Sequence, residues 1–333
     1  MSERPSPDPA SPSPRVAVLA GGVGAAKFLR GLLRIMNPDD VTAIVNVADD
    51  FRLHGLAISP DVDTVTYTLA EAVNPETGWG REGETWGVMG ELERYDGETW
   101  FSLGDKDLAL HLYRTQRLAD GATLTEVTAS VAASWGIRAT ILPASNDPIA
   151  TRIVVEDEGE IDFQDYFVAR RHDVVCTGVR FAGAENATTS PGVLQAIEQA
   201  DIIVVAPSNP IVSIGPLLAI DGIRDALIAA RNRVVAVSPI VGGKALKGPA
   251  DRMLTELGHE ASAAGVARMY SDFAGVLVID NQDASLAAEV NAAGVRAVVA
   301  DTIMSNPERA AIVATSVLAA ASTRAELSPS EPK

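Results

Sequence analysis

The chain of 333 residues carries 27 basic and 44 acidic side chains, which gives a formal net charge of -17. A field of this sign repels the nucleic-acid backbone and an anionic membrane surface, so both are excluded as main partners. The length suffices to bury one large α/β core that carries a sizeable insertion. The single cysteine, Cys176, cannot form an intrachain disulfide, and this composition is typical of a protein of the reducing cytoplasm.

Both ends of the chain have the composition of disordered tails. The first residues, SERPSPDPASPSP, are rich in proline and serine and contain no apolar core of a signal peptide. We therefore predict disordered tails at 1–14 and 323–333. The longest uncharged run, 202–220, contains three prolines and is interpreted as a buried strand followed by a loop, not as a membrane span.

Short apolar runs rich in β-branched residues alternate with helical patterns along most of the chain. This alternation predicts an α/β fold built on a doubly wound, mostly parallel Rossmann-like sheet in a three-layer αβα arrangement. The core is expected at 15–69 and 171–322, with its last helix at about 307–322, and ligands are expected beyond the carboxyl ends of the strands. The predicted strands are 16–20, 41–47, 201–206, 233–238, 275–280 and 296–301.

The rhythm changes between 70 and 170, which is interpreted as a large mixed α/β insertion. A loop rich in glycine, tryptophan and glutamate (78–98) precedes two predicted helices, at about 105–118 and 123–135. Shorter alternating runs follow near 138–143, 151–155 and 160–164. The insertion is predicted to form a wall of the active site, although the pattern alone equally fits an ordinary packing subdomain.

A glycine-rich turn follows the first predicted strand. Gly22, Gly24 and Lys27 belong to the run GGVGAAK, which leads into an amphipathic helix. Such a turn can aim several N–H groups and the helix N-terminus at a phosphate, or it can simply connect a strand tightly to a helix. It is not a Walker loop, because no serine or threonine follows Lys27, and it lacks the third glycine of a dinucleotide fingerprint.

Four aspartates, Asp49, Asp50, Asp61 and Asp63, lie between the second strand and the following helix. Carboxylates at this density repel one another, and the simplest compensation is a hard divalent cation such as Mg²⁺. We expect Asp49 and Asp63 to be the metal ligands and catalytic residues, with Asp50 and Asp61 supporting them or capping the helix. Two alternatives remain open: Asp49 or Asp50 could hold a ribose hydroxyl in a dinucleotide site, and Asp61 or Asp63 could be an ordinary helix cap.

Two further segments carry lysines in unusual places. Asp105 and Asp107 suit the positive end of a helix dipole, but Lys106 between them does not, which indicates a ligand-binding role. His111, one turn later, is interpreted as a core or surface residue. In the run SPIVGGKALKGP, after another strand, Gly243, Lys244 and Lys247 form the pattern of a phosphate site at a helix start.

A polar loop, Pro207–Pro210, follows the strand at 201–206. Its Ser208 and Asn209 can read a base or sugar by hydrogen bonds, or can satisfy their own backbone. The spacing does not choose between these roles.

These motifs together resemble the 2-phospho-L-lactate transferase family of deazaflavin coenzyme F-420 biosynthesis, including its phosphoenolpyruvate transferase members. The match extends from Arg15 to about Ser322, with small departures: Ala25 stands where the family often has glycine, and NVADD replaces the commoner NTGDD. The motifs that carry it are GGVGAAKF, NVADDF-x-L-H-G-L, ISPDVDTV-x-YTLA, LGDKDLA-x-HL-x-RT, PSNPIVSIGPLL, SPIVGGKALKGPADRM and DTIM.

The resemblance implies a magnesium-dependent transfer of a phospho-carboxylate from its guanosine diphosphate conjugate to the terminal ribityl hydroxyl of the deazaflavin Fo, with GMP leaving. It assigns Fo binding to Asp63 and Lys106, and nucleotide binding to Ser208, Asn209 and the loop from Lys244 to Lys247. It also implies a homodimer. The sequence does not choose among enolpyruvate, lactate and glycerate as the group on the donor.

Two other functions compete with this interpretation. A non-catalytic regulator that binds a sugar nucleotide would keep the nucleotide loops but would not need the acceptor site at Asp63 and Lys106. An oxidoreductase would need NAD to bind at the glycine turn and Asp49.

Overall fold

The computed structural model describes residues 13–322, and the described part of the chain is organised around a seven-stranded parallel sheet. The predicted tails at 1–14 and 323–333 lie outside the described residues, apart from Ser13 and Pro14. The strands are β1 (Val16–Ala20), β2 (Val41–Val45), β3 (Phe51–Leu53), β4 (Leu56–Ile58), β5 (Thr140–Pro143), β6 (Ala150–Val155), β7 (Gly159–Asp162), β8 (Cys176–Ala182), β9 (Ile202–Val205), β10 (Val234–Val237), β11 (Ile240–Val241), β12 (Lys244–Ala245), β13 (Val276–Asp280) and β14 (Arg296–Ala300).

Helices separate most of these strands. They are α1 (Gly22–Leu32), α2 (Pro60–Leu69), α3 (Gly87–Arg94), α4 (Asp105–Ala119), α5 (Leu124–Ser134), α6 (Val193–Gln199), α7 (Gly215–Ala219), α8 (Ile223–Ala229), α9 (Ala250–Glu256), α10 (Ala263–Tyr270), α11 (Ala287–Ala292) and α12 (Pro307–Ser322). Within the described residues, no helix combines the length and apolarity needed to cross a membrane.

The central sheet has the order β14-β13-β10-β9-β1-β2-β5, and every pairing in it is parallel. Strands β1, β9, β10 and β13 are buried along their whole length, because helices cover both faces. This burial explains why their sequences are continuous apolar runs without alternation. The predicted α/β class and Rossmann-like sheet are confirmed.

The segment 70–170 contributes to two different sheets. Its helix α5 begins with a capping box, in which Thr123 and Glu126 bond each other's backbone N–H groups, and the chain then adds β5 to the edge of the central sheet. Strands β6 and β7 instead join β8 in a separate antiparallel sheet, and β3 and β4 form a hairpin. Helix α4 packs against β4, which brings the insertion to the carboxyl edge of the core.

Candidate active site

The chain adds strands to the sheet on one side of β1 first and then on the other side, so β1 lies at the switch point of the strand order. The chain proceeds from β1 to β2 on one side and later returns to β9 on the other, so the connections after β1 and β9 diverge. Open α/β sheets bind ligands at such a switch point, beyond the carboxyl ends of the strands. A cavity of about 790 Å³ opens there, lined by the loops after both strands and by parts of the insertion.

The glycine turn after β1 is fixed against the loop after β9. Gly22 has a φ of +70°, a conformation that side-chain-bearing residues rarely adopt. A Cβ on Gly24 would lie 2.2 Å from the carbonyl oxygen of Pro207, so only glycine allows this approach. The Ser208 hydroxyl also donates to the Gly21 carbonyl at 2.8 Å. These contacts fix the N-terminus of α1 at the cavity, which is lined by Gly22, Gly24 and Lys27.

Asp49 and Asp61 are the carboxylates that face each other across this corner. Asp61 accepts a hydrogen bond from Asn46 Nδ2 at 3.0 Å, and Asp49 accepts one from Thr151 Oγ1 at 3.1 Å. Burial raises the pKa of Asp61 to about 6. Burial, followed by repulsion from Asp61, raises the pKa of Asp49 well above its usual range. Both line the cavity, so two carboxylates that resist ionisation meet where a ligand would enter.

The other two aspartates of the cluster have different partners. Asp50 accepts a hydrogen bond from Ser59 Oγ at 2.6 Å, while its second oxygen is buried and has no hydrogen-bond partner in the described part of the chain. Asp63 is 5% exposed and forms an ion pair with Arg114, which is 2% exposed and donates to both carboxylate oxygens. The predicted pairing of Asp49 with Asp63 as metal ligands stays a prediction. In the structure, Asp61 is the acid whose charge most affects Asp49, and both oxygens of Asp63 are already bonded to Arg114.

The donor set fits a magnesium ion that is completed by substrate. Among residues 13–322, no group of three or more histidine, cysteine, aspartate or glutamate side chains is arranged to hold a metal. Mg²⁺ is commonly bound by one or two carboxylates together with substrate phosphates and water, and it does not require a full protein cage. Asp49 and Asp61, whose pKa values burial raises, line the cavity as two carboxylates of this kind.

Helix α4 presents three polar side chains toward α2. Asp107, His111 and Arg114 are spaced by four and three positions, so they share one face of the helix. Asp107 accepts a hydrogen bond from the Tyr67 hydroxyl at 2.5 Å, and Arg114 Nη1 lies 3.3 Å from His111 Nδ1. The sequence interpretation of His111 identified its burial as one option but missed that it lines the cavity together with Asp107. The helical spacing of the three residues is the signal that could have found them.

Two lysines define a cationic side of the cavity. Burial, and secondarily the charge of Lys27, lowers the pKa of Lys247, so the two ammonium groups lie near each other. Lys247 also donates to the carbonyl oxygen of Thr77, which links the loop before α9 to the insertion. A nearby anion would relieve the repulsion between these lysines.

Three predicted ligand residues lie outside the cavity lining in this structure. Lys106 is exposed and donates from Nζ to the Glu82 carbonyl at 2.8 Å. Gly243 and Lys244 are exposed in the β11–β12 hairpin, on the far part of the loop that carries Lys247. Their proposed contacts with ligands stay predictions.

Ser208 and Asn209 both line the cavity, and both also serve the backbone. The Asn209 side-chain oxygen accepts from the N–H of Ile211 at 2.9 Å and so caps the π-helical turn Pro210–Ile214. Among residues 13–322, the Asn209 amide nitrogen contacts only the sulfur of Met253, at 3.7 Å, so it retains the capacity to bond a base or sugar. The two roles that the sequence left open are therefore compatible.

Aromatic side chains outside the sequence motifs form two walls of the cavity. On the insertion side, Trp100 and Phe101 pack edge to face, with ring centroids 5.7 Å apart. On the other side, Phe163 and Phe167 stack with centroids 5.4 Å apart. Such surfaces suit planar ligands, because aromatic rings prefer stacked or edge-to-face partners.

Comparisons with known proteins agree on one family. The family model described as 2-phospho-L-lactate transferase CofD matches residues 16–318. A phosphoenolpyruvate transferase of Streptomyces griseus is 45% identical over 311 residues, which cover 91% of this chain and 97% of that protein. The protein of the same name from Mycolicibacterium smegmatis is 38% identical over 312 residues, covering 89% of this chain and 95% of that protein.

Solved structures support the fold. Two crystal structures of protein BH3568 from Bacillus halodurans superpose with TM-scores of 0.65 and 0.61 at 18% and 19% identity. They cover 93% and 87% of this chain, and 100% and 93% of their own chains. At this identity the likeness concerns the architecture alone.

Proposed function

The chain belongs to the 2-phospho-L-lactate transferase CofD family, and from that premise we propose that it transfers a phosphoenolpyruvyl group to the deazaflavin Fo. The donor is the guanosine diphosphate conjugate of enolpyruvate. The terminal ribityl hydroxyl of Fo attacks the phosphorus that carries the enolpyruvyl group, a new O–P bond forms, and the P–O bond to GMP breaks. The hydroxyl proton is released, and GMP leaves with the electron pair.

The cationic side of the cavity fits the diphosphate. The N–H groups of the Gly21–Gly24 turn, the N-terminus of α1 and the side chains of Lys27 and Lys247 converge there. Phosphoryl transfer depends on positioning and on charge stabilisation more than on covalent help from the protein. These groups would hold the diphosphate in line with the acceptor and stabilise the negative charge that grows on GMP.

We propose Asp49 and Asp61 as the carboxylates that hold Mg²⁺ beside the diphosphate. The metal would supply charge neutralisation for the phosphates. The proposal rests on the repulsion that the charge of Asp61 exerts on Asp49 and on the place of both carboxylates in the cavity. Asp63, whose carboxylate is neutralised by Arg114, would instead hold helices α2 and α4 together beside the acceptor.

The observation that carries the proposal is the joining of Lys27 and Lys247 with Asp49 and Asp61 in one cavity of a CofD-family chain. The aromatic walls offer planar surfaces for the deazaflavin ring and for guanine. A homodimer and a cytoplasmic location stay predictions.

The test is an incubation of the purified protein with Fo and Mg²⁺, with the enolpyruvyl or the 2-lactyl guanosine diphosphate donor added separately. Product mass and GMP release are followed. We expect a phosphodiester of Fo, faster with the enolpyruvyl donor, and no product after EDTA until Mg²⁺ is restored. If GDP binds but Fo is unchanged with both donors, the chain is a nucleotide-binding regulator. A thermal shift with NAD but not with GDP would instead indicate an oxidoreductase.

A further inference from the structure

His111, which lines the cavity, carries a buried N–H donor that has no partner among the residues that the structure describes. The ring is 1% exposed, and its Nδ1 lies 3.3 Å from Nη1 of Arg114. A guanidinium group can only donate, so Nδ1 accepts and the ring proton sits on Nε2. Burial lowers the pKa of His111 to about 4, which keeps the ring neutral at neutral pH. Within residues 13–322, Nε2 has no hydrogen-bond partner.

Asp107 offers an acceptor next to this donor. Its Oδ1 lies 4.0 Å from His111 Nε2, which is too far for a direct hydrogen bond. The same oxygen accepts a hydrogen bond from the Tyr67 hydroxyl. The Asp107 side chain is 17% exposed and lines the cavity. The pair therefore presents one N–H donor and one carboxylate acceptor to the same space.

We propose that Asp107 and the Nε2–H of His111 together hold the reacting hydroxyl of the acceptor, and that Asp107 takes its proton. A hydroxyl is the group that complements this pair, since its oxygen accepts from Nε2–H while its proton is donated to the carboxylate. Ordinary hydrogen-bond lengths of about 2.9 and 2.7 Å place one oxygen within reach of both atoms. This assignment rests on the proposed transfer to an alcohol.

The hydroxyl proton of the acceptor leaves through Asp107. As the acceptor oxygen bonds to phosphorus, its proton moves to the Asp107 carboxylate and then to solvent, while the electron pair of the broken P–O bond stays on GMP. Burial and the charges of Asp63 and Glu84 raise the pKa of Asp107, whereas Tyr67 and Arg114 lower it, with a result of about 6. At neutral pH the group is ionised and is a stronger base than an exposed aspartate.

Tyr67, Arg114 and Asp63 act on this pair as positioning residues. Tyr67 fixes one oxygen of Asp107, and Arg114 sets the tautomer of His111. Asp63 in turn holds Arg114 by its ion pair. Asp63 therefore reaches the chemistry through two other side chains, which differs from the direct catalytic role predicted for it.

The first experiment compares Asp107→Asn with Asp120→Asn, a change at the exposed C-terminal end of the same helix. Fo, the enolpyruvyl donor and Mg²⁺ are kept saturating. We expect Asp107→Asn to lower kcat by about 10²- to 10⁴-fold, the usual contribution of a general base, and Asp120→Asn to match wild type. GDP binding should be unchanged in both variants, which also shows that they are folded. A kcat within threefold of wild type in Asp107→Asn would overturn the assignment.

The pH profile separates proton transfer from a structural effect. Wild-type kcat should fall as pH drops below about 6, because protonated Asp107 cannot accept the hydroxyl proton. The residual activity of Asp107→Asn should lack this fall. If the same fall persists in the variant, it belongs to another group, such as Asp61, and the role of Asp107 as base is refuted.

The donor role of His111 is tested with a pair of variants. His111→Leu removes the Nε2–H, whereas His111→Gln keeps an amide N–H near the same position. We expect the leucine variant to raise the KM for Fo about tenfold, with the glutamine variant recovering most of the loss. Equal KM values in the two variants would refute the donor role. If wild type itself makes no product from Fo, the proposed function fails; if wild type is active and the variants behave like it, only this inference fails.

Discussion

The buried ion pair between Arg114 and Asp63 should be the most costly single contact to break in the acceptor side of the cavity. The guanidinium bonds both oxygens of Asp63 and also donates to the Ala57 carbonyl at 3.2 Å. Replacing Arg114 with methionine keeps a long apolar stem but leaves a buried carboxylate without its partner. Removing one member of a buried pair typically costs about 3–5 kcal/mol, and we expect a loss of unfolding free energy in this range.

The matched control is another arginine that pairs with an aspartate. Arg138 donates from Nε to Asp39 at 3.0 Å, with the same two residue types, but both side chains are more than half exposed. Exposed pairs contribute little because water and salt screen them. Arg138→Met should therefore leave the midpoint of urea unfolding unchanged, whereas Arg114→Met should lower it without changing the slope.

A double variant tests the reasoning more strictly. Asp63→Asn combined with Arg114→Met leaves no charge at the buried site, so the penalty of an unpaired carboxylate disappears. The double variant should be more stable than Arg114→Met alone by about 1–3 kcal/mol, measured by urea unfolding at pH 7. If the second substitution adds to the loss instead, desolvated charge is not what makes the pair costly to break.

Three further changes test separate parts of the site. Gly24→Ala places a Cβ 2.2 Å from a backbone oxygen and should lower the free energy of unfolding by about 1–3 kcal/mol or more. Gly90→Ala, on exposed helix α3, meets no described atom within 4 Å and should be neutral or slightly stabilising in the same thermal unfolding assay. Lys247→Met should raise the KM for the guanosine diphosphate donor at least tenfold, while Lys244→Met, outside the cavity lining, should not; equal effects would assign phosphate binding to the whole loop. Folding raises the pKa of Asp107 from 3.8 to about 6, so its contribution to stability is present below pH 4 and is lost as pH rises through 6. Between pH 4 and pH 7, the free energy of unfolding of Asp107→Asn should therefore rise by about 2–3 kcal/mol relative to wild type. A difference in urea unfolding that does not change with pH would contradict the burial of Asp107 as the cause of the shift.

The central sheet could be predicted from the sequence because its strands are buried on both faces. Continuous apolar runs such as 201–206 and 275–280 have no other common explanation when helical patterns separate them, and they became β9 and β13. The edge of the sheet was harder to predict. The run near 138–143 lies inside the segment interpreted as an insertion, yet it supplies β5, because a four-residue strand carries no signal that says which sheet it joins.

The sequence predicted the parts of the site that are formed by residues close together in the chain, but not the contacts between distant residues. The glycine turn and the acidic cluster are visible as short motifs, and the turn and three of the four aspartates line the cavity. The partner of Asp63 is 51 residues away on another helix, and Thr151, which bonds Asp49, is 102 residues away. Single-sequence spacing contains no information about such pairs, so the division of labour among the four aspartates could not be inferred.

The structure explains how four aspartates so close in the chain can be buried together. Asp63 is compensated by the charge of Arg114, whereas Asp49, Asp50 and Asp61 each accept a hydrogen bond from a neutral side chain. Burial raises the pKa values of Asp49, Asp50 and Asp61, and of these three only Asp49 and Asp61 line the cavity. The place of Asp49 and Asp61 in the cavity is therefore the observation on which the proposed cation rests.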